Sequence, residues 1–178
     1  VFFERQSLQD VFVRRSVGVD LSLSQAVGRN TTFTFAYRPE LTELEAAEVF
    51  FCTSFLVCTP EDVSSLQDFN WLAPLSVGLV RARTNNLLNP TRGYQVLFNF
   101  EHASAVTGSD FEYNRAFGEA TAYLETRPGQ VLAARVRGGW VGAGAFIPLS
   151  GGADIVHPQK RFFSGGANSV RGFAQNQL

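Results

Sequence analysis

The stretch Tyr94-Gln-Val-Leu-Phe-Asn-Phe-Glu-His102 decides the fold. Successive side chains of an extended strand point to opposite faces, so Tyr94, Val96, Phe98 and Phe100 share one side while Gln95, Leu97, Asn99 and Glu101 share the other. A helical period would mix the two sets. One apolar face and one polar face, held over this many residues, describe a long strand between two different environments.

Working outward, the same period of two recurs along the chain. In residues 16–24, Val17, Val19, Leu21 and Leu23 oppose Ser16, Gly18, Asp20, Ser22 and Ser24. After a Gly-Arg-Asn turn, Thr31, Phe33, Phe35 and Tyr37 line one face of residues 31–38, which predicts a hairpin. Further strands are expected over 71–83, 93–103, 111–125 and 130–142. In the third of these, Glu119, Thr121 and Arg115 oppose Ala116, Gly118, Ala120 and Leu124, and in the fourth Leu132, Ala134, Val136 and Trp140 oppose Arg135 and Arg137. A weaker pattern over residues 1–7 brings the number to about seven.

Composition agrees with strands and leaves the class open. The chain has 178 residues, 17 of them Phe and 16 Gly, with Lys160 its only lysine and no methionine. Aromatic and β-branched residues with abundant glycine favour strands and turns, in a soluble sandwich as much as in a barrel. A net charge of −1 with both signs mixed along the sequence argues against a nucleic-acid partner, which needs a clustered basic face. No apolar run approaches the roughly 20 residues of a spanning helix, and no signal peptide is present. The first residues, Val1-Phe2-Phe3, read as the interior of a longer protein.

Strand length and loop pattern separate the two classes. Segments of roughly ten to fifteen residues exceed the usual globular strand and suit the 9–11 tilted residues that cross a bilayer. The breaks at 25–30, 85–92 and 126–129 are short or intermediate and fall at one end of the sheet. Those at 39–70, 104–110 and 143–178 fall at the other. Outer-membrane barrels sort their connections this way, with tight periplasmic turns and longer outer loops. The expected class is therefore an all-β, antiparallel transmembrane β-barrel, present in part.

Near the end stands Arg161-Phe162-Phe163-Ser-Gly165-Gly166-Ala-Asn-Ser169-Val170-Arg171-Gly172-Phe173. Its glycines make ordering costly unless something encloses it. The segment resembles the loop motif of the BamA/TamA family of outer-membrane barrels. A second likeness is the turn Asn89-Pro90-Thr-Arg-Gly93 before a strand, similar to a periplasmic turn of the same family, where proline fixes φ and Gly93 permits the turn. The likeness covers most of the chain from Trp71 onward. It implies that residues 1–178 are part of a C-terminal barrel of about sixteen strands, without the first and last strands and without the periplasmic repeats. It also implies that residues 143–178 form a loop folded back into the barrel, where Arg171 meets acidic or aromatic groups on strands beyond Leu178. A guanidinium suits that contact because its planar fork binds a carboxylate bidentately at any relevant pH.

What the resemblance implies about function is insertion and folding of client β-barrel or autotransporter proteins in the bacterial outer membrane. The partners would be membrane lipid, clients and accessory assembly subunits, with no enzymatic step, no cofactor and no small-molecule substrate. The alternatives are a secretion transporter of the two-partner type within the same superfamily and a passive porin.

Other residues carry weaker signals. Cys52 and Cys58 could close a small disulfide ring outside the cytoplasm, or stand as free buried thiols. With His102 and His157 each isolated, zinc is not expected, and no other metal site is suggested. Thr42 followed by Glu45, ahead of the apolar residues to Phe51, resembles a capping box and predicts a short helix over the barrel mouth. Glu101 and Glu119 could face one another as an acid–base pair, although charges that solvate a lumen are the plainer reading. There is no G-x-S-x-G elbow and no phosphate-binding Gly-Lys-Ser/Thr.

Overall fold

A computed structural model describes residues 1–8, 12–46, 68–86, 88–144, 160 and 162. Ten strands account for most of them: β1 (Phe2–Leu8), β2 (Phe12–Gly18), β3 (Leu21–Ala26), β4 (Thr31–Tyr37), β5 (Glu40–Ala46), β6 (Asn70–Leu72), β7 (Leu75–Thr84), β8 (Gly93–Ala103), β9 (Tyr113–Arg127) and β10 (Gln130–Ala143). A 3₁₀ turn, Ala105–Thr107, stands between β8 and β9. Every pairing is antiparallel, in two open sheets of order β1-β2-β5-β6 and β10-β9-β8-β7-β4-β3. This is part of an all-β barrel wall.

The two sheets are one ribbon system with a seam. β2 runs into β3 through Val19–Asp20, β4 into β5 through Arg38–Pro39, and β6 into β7 through Ala73–Pro74. Proline has no amide hydrogen to donate, so regular pairing lapses there. The chains stay in step because Val19 donates its N–H to the Pro39 carbonyl (3.0 Å) and Arg38 donates to that of Pro74 (3.2 Å). With each pair of segments taken as one ribbon, the wall has seven, as the periodicity implied.

Two expectations are corrected at this seam. Residues 16–24 do not form one uninterrupted strand; the strand is broken between Gly18 and Leu21. Nor do residues 39–70 begin as a loop that turns helical at Thr42, since Glu40–Ala46 is strand β5. Thr42, Glu43 and their neighbours pair with β2, and that ladder outweighs the local capping signal. The rest of the expected helix, to Phe51, lies outside the described residues.

Register fixes the faces, because residues directly paired across strands point the same way. One row runs Leu23–Phe35–Val77–Phe100–Ala116–Trp140, and the next Gln25–Phe33–Leu79–Phe98–Gly118–Gly138. Alternate rows read Ser24–Thr34–Gly78–Asn99–Phe117–Gly139 and Ser22–Ala36–Ser76–Glu101–Arg115–Val141. The first face is apolar yet open, with Val136 70% and Trp140 55% exposed. A band of exposed apolar side chains across six strands is what a soluble domain avoids and what hydrocarbon accommodates.

Local chemistry sets the ends. At the short-turn end, Gly28 (φ 70°) turns β3 into β4, and Pro128-Gly129 (φ 79° at the glycine) turns β9 into β10. β1, β5, β8 and β10 end, and β2, β6 and β9 begin, at the other end, where the described connection is 104–112. At that end Asp110 seals the flank of β6, donating its N–H to the Trp71 carbonyl (2.8 Å) and accepting the Trp71 N–H on its carboxylate (2.7 Å).

In the 85–92 turn, the Asn85 side-chain oxygen accepts the N–H groups of Thr91 and Arg92, each at 3.0 Å, and the Asn86 oxygen those of Leu88 and Asn89, at 2.9 and 3.2 Å. Gly93 follows with φ 112°, where any Cβ would collide with the Arg83 carbonyl. Gly129 has positive φ with nothing within 4 Å of such a Cβ. Gly93→Ala in the full-length protein should therefore lower the unfolding midpoint in detergent well below that of Gly129→Ala, whose cost is backbone strain of about 1 kcal/mol. Equal midpoints would mean that the close approach at Arg83 is relieved at no cost.

Candidate functional site on the inner wall

The polar rows of β8, β9 and β10 converge on Glu101. Tyr113, fully buried on β9, donates its hydroxyl hydrogen to Glu101 Oε1 at 2.6 Å. The same oxygen meets Lys160 Nζ at 3.1 Å, and both side chains of this ion pair are only 13–14% exposed. Lys160 also lies 5.9 Å from the Tyr113 ring centroid. A hydroxyl and an ammonium on one shielded carboxylate is a charge-assisted arrangement, and deleting one partner strands the other's charge.

Two residues further on, Phe162 reaches the next row. The Arg115 guanidinium sits 4.5 Å over its ring, and the Phe117 ring is 6.4 Å away at a tilt of 30°. Directly below is Gly139 of β10: a Cβ there would come within 2.5 Å of Phe162 Cζ. Gly139 pairs with Phe117 across the ladder, so the wall offers a hollow one residue wide, bounded by an aromatic ring and a cation. Each such ring contact contributes about 0.5–1.5 kcal/mol.

Beside this seat, where β1, β2 and the seam meet, lies a charged cluster. Arg14 bridges Glu4 (3.1 Å) and Glu40 (3.8 Å), and Arg38 bridges the same two carboxylates (3.3 and 3.6 Å). Glu40 is 2% exposed. With Lys160 these four side chains line a small polar cavity of about 150 Å³. Gly18 is needed here, because a Cβ on it would come within 2.5 Å of the Pro39 carbonyl oxygen and 2.8 Å of Glu40 Cβ.

The sequence-predicted residues fall as follows. Phe162 is on the inner wall. Arg161, Phe163, Gly165, Gly166, Ser169, Val170, Arg171, Gly172 and Phe173 lie outside the described residues, as do Cys52, Cys58 and His157. Asn89 and Pro90 are in the 85–92 turn, where Asn85 and Asn86 organise the backbone, and Gly93 opens β8 directly after it. Glu101 and Glu119 share the inner face without forming a carboxylate pair: Glu101 binds Lys160 and Tyr113, and Glu119 binds Arg135 at 2.6 Å.

Sequence reasoning missed Tyr113, Arg115 as a ring partner, Gly139 and the Glu4–Arg14–Arg38–Glu40 cluster. One signal was available, a lone lysine immediately before the arginine motif. Nothing in the seat resembles a catalytic set, and among the described residues no three His, Cys, Asp or Glu side chains converge as metal ligands. The seat is built to hold a segment of chain.

Comparison with known proteins accords with this geometry. Residues 1–178 match the description of an Omp85 superfamily domain. Over 169 residues the chain is 26% identical to the outer membrane protein assembly factor BamA of Nitratidesulfovibrio vulgaris (strain Hildenborough), covering 95% of this chain and 20% of that protein. The chain thus spans about a fifth of the length of the curated relative it matches.

If Phe162 occupies the hollow over Gly139, size must be exchangeable between the two. In the full-length protein, Gly139→Leu should lower the heat-modifiability midpoint, and adding Phe162→Ala should restore it by vacating the space. Phe162→Ala alone should cost about 1–3 kcal/mol, the sum of its two ring contacts. A double variant no better than Gly139→Leu would show that the two positions do not meet.

Proposed function

Since the chain belongs to the Omp85 superfamily, we propose that it forms the barrel-wall portion of an outer-membrane assembly factor of the BamA/TamA type. The parent protein inserts and folds client β-barrel proteins, with no chemical step of its own. Residues 143–178 fold inward as a loop, and Arg171 within it reaches a carboxylate elsewhere in the barrel. The placement of Lys160 and Phe162 on the inner face, held by Glu101, Arg115 and Gly139, is the observation that carries this reading best. These residues flank Arg161 and lead directly into the glycine-rich segment, so the segment sets out from inside the wall.

The wall's part in such a machine is to hold that loop while other strands work. Templating a client strand needs unpaired backbone at an opened edge, and β7, β8 and β9 have both edges occupied. The Asn89-Pro90-Gly93 turn is then periplasmic, and the 47–69 connection, with Cys52 and Cys58, faces the cell exterior.

Arg171→Ala in the full-length protein tests the assignment. Insertion of a client barrel into liposomes should fall severalfold and the heat-modifiability midpoint should drop. Arg171→Lys should recover only part of either, because lysine lacks the bidentate fork. Unchanged client insertion and unchanged heat-modifiability would overturn it. A steady single-channel conductance, indifferent to client and to Arg171, would identify a passive pore instead.

A further inference from the structure

The outer face carries a charged feature that neither the loop nor client insertion uses. Arg81 and Arg83 of β7 share the outward parity of Leu75, Val77 and Leu79, and both are exposed. Arg81 pairs across the ladder with Thr31 and Val96, and Arg83 with Tyr94, so both stand in outward rows. Neither enters any ion pair or side-chain hydrogen bond among the described residues, whereas Arg14, Arg15, Arg38, Arg92 and Arg135 each meet a carboxylate. Two guanidinium groups with no partner among the described residues, on outer rows that β3, β4 and β7 otherwise leave uncharged, call for an anion from outside the chain.

Along the same strand, away from the 85–92 turn, the outer face opens into an apolar groove of about 530 Å³ lined chiefly by Leu21, Leu23, Phe35, Tyr37, Leu75 and Val77. At about 3.3 Å per residue, Arg81 lies about 13 Å from Val77 along β7, and Arg81 and Arg83 are about 7 Å apart. One leaflet of hydrocarbon is about 15 Å deep. Barrel strands tilt by about 40°, so that distance along β7 is about 10 Å of depth, and the groove begins within one leaflet of the cationic pair, which stands near the short-turn end of the barrel.

We propose that Arg81 and Arg83, with the apolar groove on β3, β4 and β7, form a binding site for one anionic glycerophospholipid of the periplasmic leaflet. The phosphate bridges the two guanidinium groups, Tyr94 sits beside it at the interface, and an acyl chain runs along Leu79 and Val77 into the groove. Charge complementarity selects the headgroup, since a zwitterionic lipid adds a cation next to the arginines. The short turns on this side place the headgroup on the periplasmic side, which favours a phospholipid over a lipopolysaccharide phosphate. The inference rests on the outer-membrane placement and not on assembly activity, so client insertion is a separate readout.

The test uses the full-length protein in phosphatidylcholine bilayers with spin-labelled phosphatidylglycerol or phosphatidylcholine at low salt, reading relative affinity from the motionally restricted signal. The unmodified protein should prefer phosphatidylglycerol roughly five- to twentyfold, at roughly fivefold per arginine near a membrane surface. R81Q/R83Q should abolish the preference, R81K/R83K should keep most of it, and R92Q, whose arginine binds Glu125, should leave it unchanged. In the unmodified protein the preference should shrink with added salt, which tests the proposal even where R81Q/R83Q fails to fold. A preference that survives in folded R81Q/R83Q or ignores salt would overturn it. Equal affinity for both phospholipids would show that the arginines are only solvated at the rim.

Discussion

A peptide group placed in hydrocarbon has no water to turn to, and leaving it unpaired costs several kcal/mol. From β3 to β10 each strand therefore has to find its partners on its neighbours without a gap. The long ladders β7–β8, β8–β9 and β9–β10 meet that demand directly. The seam is where the demand is hardest to meet, since Pro39 and Pro74 cannot donate. Their carbonyls accept instead, from Val19 and Arg38, and the ribbons cross the break in step. Asp110 does the same service at the flank of β6, one side chain and one amide replacing a missing strand.

Once the ladder is fixed, side-chain parity is fixed with it, and the two faces can take opposite chemistries. The outer rows need only be apolar. The inner rows carry charges in a shielded space, where a lone charge is costly and a paired one is tolerable. The pairs are accordingly local. Glu4 and Glu40 share Arg14 and Arg38, Glu119 takes Arg135, and Glu125 takes Arg92. Glu101 differs in that its cation, Lys160, stands beyond β10 in the chain. That pair ties a connecting segment to the wall.

Alternation made the faces legible, because it is a property of neighbours along the chain. The rows through Tyr94–Phe100 and Gln95–Glu101 stand as the sequence implied, as do the turn at Gly28-Arg29-Asn30 and the limits of β8. The seam was not legible. Pro39 looks like the end of a strand, and Thr42 to Glu45 looks like the start of a helix. Only pairing with β2 makes Glu40–Ala46 extended, and that partner lies far away in sequence. The seat was hidden for the same reason. Gly139 reads as one glycine among many until Phe162 is placed over it. Glu101 and Glu119 read as charges that solvate a lumen, with an acid–base pair as the lesser alternative, because the sequence shows that they share a face, but not which cation sits beside each. The Arg161–Phe173 motif pointed to the family by resemblance, without revealing that its neighbour Lys160 and its own Phe162 hold to β8, β9 and β10.

The distribution of anchors limits where such a barrel can change shape. Lys160 and Phe162 bind strands of 11, 15 and 14 residues that are laddered to one another along nearly their whole length. Parting those strands would expose a row of amides to hydrocarbon, at a cost several contacts of the seat could not offset. Lys160 and Phe162 therefore move with β8–β10 as one body. Any opening in a machine of the kind proposed falls on edges with fewer bonds, or on the seam, where Val19–Pro39 and Arg38–Pro74 are single bonds between longer ladders. A wall built this way keeps Lys160 and Phe162 fixed against β8–β10, whatever the freer edges do.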